Sequence, residues 1–176
     1  GAPVAMPLPW REVTDELDPQ AYTLLTVPRL LAARAAKADC DVGTCGVGAD
    51  SGRRLRIYGS SETHTWIQKA GNIAGLGTDS IRWITTDKTL RMDVAALRRQ
   101  IEADKASGDL PFIVVGTAGS VGTGAVDPLS EIRAVCTEFD VWFHVDGAYG
   151  GFAAAVPEAP EALRALAHAD SVAVDP

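Results

Sequence analysis

Three places in the sequence carry residues whose types and spacing could do chemistry. Residues 141–146 (VWFHVD) form an apolar run ending in a carboxylate, Asp146, followed at once by Gly147, Ala148, Tyr149, Gly150 and Gly151. Burying an ionised Asp is costly unless a partner compensates it. Asp146 either caps the next turn or meets a cation belonging to a ligand, the small residues after it leaving space for that ligand to lie flat. Residues 110–116 (LPFIVVG) run into Thr117-Ala118-Gly119-Ser120-Val121-Gly122-Thr123-Gly124. Small and hydroxyl-bearing residues collect there, as they do where backbone turns sharply or approaches a ligand, or in a plain connecting loop. His64 is expected in the first turn of a helix directly after a strand. An imidazole there could stack on a flat heterocycle or be an ordinary helix residue.

The elements that must hold these residues alternate between strand-like and helix-like patterns. Strands are expected over residues 54–59, 80–85, 110–116, 141–146 and 171–174, the third and fourth apolar enough for burial on both faces. Helices are expected over 27–37, with Pro28 in the first turn, and from a Ser61 cap through His64, Ile67, Ala70 and Ile73 to Gly75 or Gly77. Further helices are expected after an Asp93 cap, with Val94, Leu97 and Ile101 in register, over 129–139, and over 161–167. Residues 39–52 read as a polar loop. Such alternation implies an α/β fold, a mainly parallel sheet with helices on both faces. Ligands of such sheets sit at the carboxyl ends of the strands, where Asp146, the 116–124 loop and His64 all fall.

Composition narrows the class. The 176 residues are 47% hydrophobic and 22% charged, enough for one domain with a real core. A net charge of -7 argues against nucleic-acid or anionic-membrane partners, which need clustered Lys and Arg. Cys40, Cys45 and Cys136 lack CxxC spacing and fit reduced thiols rather than disulfides or a metal site. No apolar run approaches the roughly 18 residues of a membrane span, and the first residues lack a basic secretory leader. A cytoplasmic protein is expected. Residues 1–20 read as a Pro-rich lead-in, with a natural start upstream of Gly1.

Taken together, the motifs resemble those of the group II pyridoxal-phosphate (PLP) decarboxylases, the aromatic-amino-acid, glutamate and histidine decarboxylase group. His144-Val145-Asp146-Gly147-Ala148-Tyr149-Gly150-Gly151 is similar to HVDAAYGG. Gly119 to Asp127 with Pro128-Leu129 is similar to GTTxTGAVDPL, Ser61-Glu62-Thr63-His64 to SExxH, and Ser171 to Pro176 to SxxxDP. The four occur in family order. The resemblance implies the large domain of PLP-dependent transferase fold type I over residues 21–176, truncated, with its small C-terminal domain absent. It implies PLP as cofactor, no metal, and an amino-acid substrate decarboxylated by a homodimer with its site at the interface. By the same resemblance Asp146 holds the protonated pyridine nitrogen, His64 stacks on one ring face and Ala148 packs on the other. Ser120 and Asp175 join the cofactor-binding set, and Asp127 supports the ring-side loop.

The chain departs from the family pattern at the phosphate loop. TSGGTxANLL aligns with residues 22–31, where Leu24 and Leu25 replace two glycines and Thr26 is kept. Leucine is strained wherever such a loop needs positive φ, but the Leu25 N–H and the Thr26 hydroxyl remain to meet a phosphate. Ser120-Val121 replaces a Thr-Thr pair. The family's cofactor-binding lysine follows Asp-Pro-His, so His-Lys is expected directly beyond Pro176. This segment by itself is then expected to be inactive and part of a longer enzyme. Two alternatives stand beside that reading: a non-catalytic homologue keeping the fold for binding or assembly, and a PLP enzyme of another reaction type, such as an aldehyde synthase or an aminotransferase-like enzyme.

Overall fold

The structure, a computed structural model, describes residues 54–175. The helix expected over 27–37, the loop over 39–52, and Leu25 and Thr26 lie outside the described residues. Five strands follow in chain order: β1 (Leu55–Ser60), β2 (Ile81–Ile84), β3 (Leu110–Thr117), β4 (Trp142–Gly147) and β5 (Ser171–Val174). All pair in parallel, in the order β2-β1-β3-β4-β5. Helix α1 (Trp66–Ile73) joins β1 to β2, α2 (Val94–Ala106) joins β2 to β3, and α3 (Leu129–Phe139) joins β3 to β4. The expected α/β sheet with helices on both faces is the observed one.

Parallel strands bury both faces, and the sequence supplies two apolar sets for them. Ile57, Ile113 and Val115 pack with Ile67 and Ala70 of α1 on one face. Tyr58, Val114, Phe143 and Val145 pack with Leu97, Ile101, Ile132 and Val135 of α2 and α3 on the other. The chain winds outward from β1 to β2, then crosses back to β3 and onward. Right-handed crossovers in opposite directions place the helices on opposite faces. The winding therefore reverses between β1 and β3, and open α/β sheets bind ligands in the crevice at such a reversal.

Helix starts follow the local chemistry. Asp93 caps α2 as expected, its side chain accepting the Ala96 N–H at 3.0 Å. The helix expected from Ser61 instead begins at Trp66. Residues Ser60 to Thr63 form a closed turn: Ser60 N–H donates to Thr63 Oγ1 at 2.9 Å and Thr63 N–H to the Ser60 carbonyl at 3.0 Å. Ser61 N–H donates to the Ile84 carbonyl, which ties the turn to the end of β2. These side-chain bonds outcompete a helical start, so His64 lies ahead of the helix rather than in its first turn. The helix expected over 161–167 is split, with α-helical Glu161–Arg164 continuing as 3-10 helix Ala165–His168.

Candidate active site

Parallel pairing brings the carboxyl ends of all the strands to one edge. His64 follows β1, Ser120 follows β3, Asp146 is the penultimate residue of β4 with Ala148 just beyond it, and Asp175 follows β5. The edge thus collects every described residue expected to form the site. His64, Ala148 and Asp175 are exposed, while Ser120 and Asp146 are buried.

Asp146 is held by two donors from different elements. Its Oδ2 accepts the indole N–H of Trp66 at 2.6 Å, and its Oδ1 accepts the Ala148 backbone N–H at 3.2 Å. The second bond is the turn-capping role that sequence alone left open. The first belongs to neither reading. A carboxylate has about four lone-pair sites, so each oxygen keeps one for an incoming N–H. The site links His64 to Asp146 through Trp66, whose backbone N–H donates to His64 Nδ1 at 3.3 Å.

Asp127 braces the loop after β3. Its Oδ1 accepts the Met92 N–H at 2.7 Å and its Oδ2 the Thr117 N–H at 2.8 Å, while its own N–H donates to the Thr117 carbonyl at 2.9 Å. Burial pushes its carboxyl above the usual range, and the Met92 and Thr117 N–H groups partly offset that. Thr117 is paired in register with Asp146, so their side chains share a face of the sheet. Its buried Oγ1 has no hydrogen-bond partner among the described residues. Ser120, expected to offer a hydroxyl to a ligand, turns it toward Thr123 Oγ1 within its own loop.

The glycines after Asp146 also serve close packing of the backbone. A Cβ on Gly150 would collide with the Ala118 carbonyl oxygen, and one on Gly147 would come within 3.0 Å of the Ala173 carbonyl oxygen. They let the loop after β4 pack against its neighbours, and Ala148 is the small residue that faces outward. Behind the site, His144 Nδ1 and Ser171 Oγ are 2.8 Å apart, and Ser171 Oγ accepts the Trp142 indole N–H at 3.0 Å. The His144 ring meets Trp66 edge-on, with centroids 5.7 Å apart. Sequence reasoning missed Trp66 as a site neighbour, took in Thr117 only as part of the small and hydroxyl-bearing run at the end of β3, and placed His144 and Ser171 only within motifs. Trp66 and Asp146 are 80 residues apart, and no spacing rule links them.

The model of the family described as "Pyridoxal-dependent decarboxylase conserved domain" matches residues 26–176. The chain belongs to the pyridoxal-dependent decarboxylase family. It is 40% identical over 132 residues to a tryptophan decarboxylase of Camptotheca acuminata, an alignment covering 74% of this chain and 26% of that protein. It is 39% identical over 131 residues to a 4-hydroxyphenylacetaldehyde synthase of Rhodiola rosea, covering 73% and 27%. The apo crystal structure of mouse CSAD superposes with a TM-score of 0.82 at 35% identity, covering 88% of this chain and 32% of that one. The chain therefore spans about a quarter to a third of these relatives.

The family's cofactor is pyridoxal 5'-phosphate, and the residues expected to meet its ring are compatible with it. Asp146 offers a carboxylate at the strand end, Ala148 beside it is small and exposed, and the buried Thr117 hydroxyl lacks a partner among the described residues. The positions expected to meet the phosphate, Leu25 and Thr26, are outside the described residues. Among the described residues there is no group of three or more His, Cys, Asp or Glu that could hold a metal ion, and no helix long and apolar enough to cross a membrane.

Proposed function

We propose that this chain is the cofactor-binding segment of a PLP-dependent carboxy-lyase acting on an L-amino acid. The observation that carries the proposal is Asp146, a buried carboxylate at the carboxyl end of β4, oriented by two N–H donors beside exposed Ala148. Bound PLP supplies an electron sink for the pair left when carbon dioxide departs. Asp146 keeps a proton on the pyridine nitrogen, because a facing carboxylate favours the charged form of that nitrogen. His64 covers one face of the ring and Ala148 admits the other. Asp127 keeps the loop after β3 in place, and Ser120 and Asp175 flank the ring on that loop and beyond β5. Thr26 and the Leu25 N–H take the phosphate. The same proposal includes a homodimer with its site at the interface and a cytoplasmic location.

The test uses the protein as its gene encodes it, loaded with PLP and offered a panel of L-amino acids. Release of carbon dioxide with the matching amine is expected. An aldehyde product would replace the carboxy-lyase reading with an aldehyde synthase, and no reaction in a PLP-loaded protein would sink it as a catalyst. Asp146→Asn cannot hold the nitrogen's proton by charge. It is expected to weaken PLP at least about tenfold, in line with the roughly 1.5–3 kcal/mol of a charge-assisted bond.

A further inference from the structure

Trp66 has no part in the proposed function as drawn, yet it makes the shortest bond to the residue at its centre. Its indole N–H lies 2.6 Å from Asp146 Oδ2, at the short end for a donor facing a carboxylate. The two residues come from different parts of the sheet. Trp66 opens α1, after β1, while Asp146 lies near the end of β4, and β3 lies between those strands. A bond across that gap ties the two sides of the crevice together at the carboxylate.

The indole is itself held. His144 presents its ring to the indole at an interplanar angle of 84°, with centroids 5.7 Å apart. His144 shares a hydrogen bond with Ser171 Oγ of β5, which also accepts from Trp142. Below it, α1 is anchored by Ile67 and Ala70 against Ile57, Ile81 and Ile113. The donor is therefore fixed from two directions before any ligand arrives. A rigid donor on one oxygen and the Ala148 N–H on the other leave the carboxylate little freedom to rotate.

We propose that Trp66 is a positioning residue for Asp146, its indole N–H fixing the plane of the carboxylate that meets the pyridine nitrogen of PLP. The inference rests on the proposed function and adds a residue to it. Trp66 touches neither the ring nor the substrate in this role and acts through Asp146 alone. An indole that only packs the crevice would support every ligand of similar shape equally. An indole that acts through Asp146 supports only ligands that carry the ring nitrogen.

That difference is measurable by binding alone. The apo form of the protein as encoded is titrated with PLP and with its 1-deaza analogue, in which C–H replaces the ring nitrogen. The variants are Trp66→Phe and a protein with Trp66 replaced by benzothienylalanine, which keeps the bicyclic shape and exchanges N–H for sulfur. Both variants are expected to bind PLP about tenfold more weakly, near the worth of one charge-assisted hydrogen bond, and the deaza analogue within about twofold of wild type. Equal losses for both ligands in the benzothienylalanine protein would reduce Trp66 to packing and overturn the inference. Unchanged PLP binding in that protein would overturn it as well. If wild type itself shows no preference for PLP over the analogue, the Asp146 assignment fails first, and the inference falls with it.

Discussion

Asp127 shows how much a single buried carboxylate can hold. It accepts N–H bonds from Met92 and Thr117, both buried, so it joins the segment before α2 to the end of β3. Asp127→Ala would leave both donors buried without partners, at a cost of about 1–3 kcal/mol each. A loss of about 2–6 kcal/mol in urea unfolding is expected. Asp127→Asn keeps one acceptor oxygen and should lose about half as much. A variant no less stable than wild type would mean that burying the charge, which pushes this carboxyl up, outweighs the bonds. What was legible in the sequence is that His64, Asp146 and Ala148 stand in ordered motifs at strand ends, and the structure brings those ends to one edge. Their partners were not. The Trp66–Asp146 bond and the His144–Ser171 pair join residues far apart in the chain, and only the folded sheet brings them together.

At the scale of elements, periodicity located the strands to within a residue or two, because β3 and β4 must be apolar on both faces to sit inside the sheet. It misplaced the start of α1. Apolar spacing marks the helix body through Ile67 and Ala70, but the start was decided by hydrogen bonds of Ser60 and Thr63, which have no helical period. The glycines after β4 were legible as special, but the close backbone approach that Gly150 permits was not. Gly150 sits where the loop after β4 crosses the loop after β3, and an added Cβ would strike the Ala118 carbonyl oxygen, a backbone atom that cannot rotate away. Gly150→Ala should therefore part the two loops and cost about 1–3 kcal/mol as overpacking does. Because Ala118 N–H also donates to the Asp146 carbonyl at 2.8 Å, the same variant should weaken PLP binding. Gly122→Ala, where a Cβ meets nothing within 4 Å, is the control and should leave unfolding unchanged. Equal behaviour of the two variants would refute the close-approach explanation.

Across the whole molecule, the two edges of the sheet divide the work. The carboxyl edge gathers the candidate site, and the amino edge holds a largely buried polar cluster. Arg56 binds Asp109 at 2.6 Å, Arg82 grips Asp104 with Nε at 3.0 Å and Nη2 at 2.8 Å, and the Tyr58 hydroxyl donates to Asp104 at 2.9 Å. Burial pushes the Asp104 carboxyl up, but hydrogen bonds from Arg82 and Tyr58 and the Arg82 charge hold it below the usual carboxylate range. Burial and the Asp104 charge push the Tyr58 hydroxyl far above its ordinary value. The signs are opposite in effect on folding. A carboxyl lowered by folding lends stability above its unfolded value, about 4, which is lost as pH falls through the folded value. A phenol raised by folding lends stability below its unfolded value, about 10, which is lost as pH rises beyond it. The urea midpoint of the protein as encoded should thus fall at both extremes. Asp104→Asn should be less stable than wild type at pH 7, with the gap narrowing below about pH 4. Tyr58→Phe should also be less stable at pH 7, but its gap should narrow above about pH 10. A gap that stays constant with pH in either variant would mean that the cluster stabilises the sheet by packing alone, with no share for the charges that the amino edge holds away from the site.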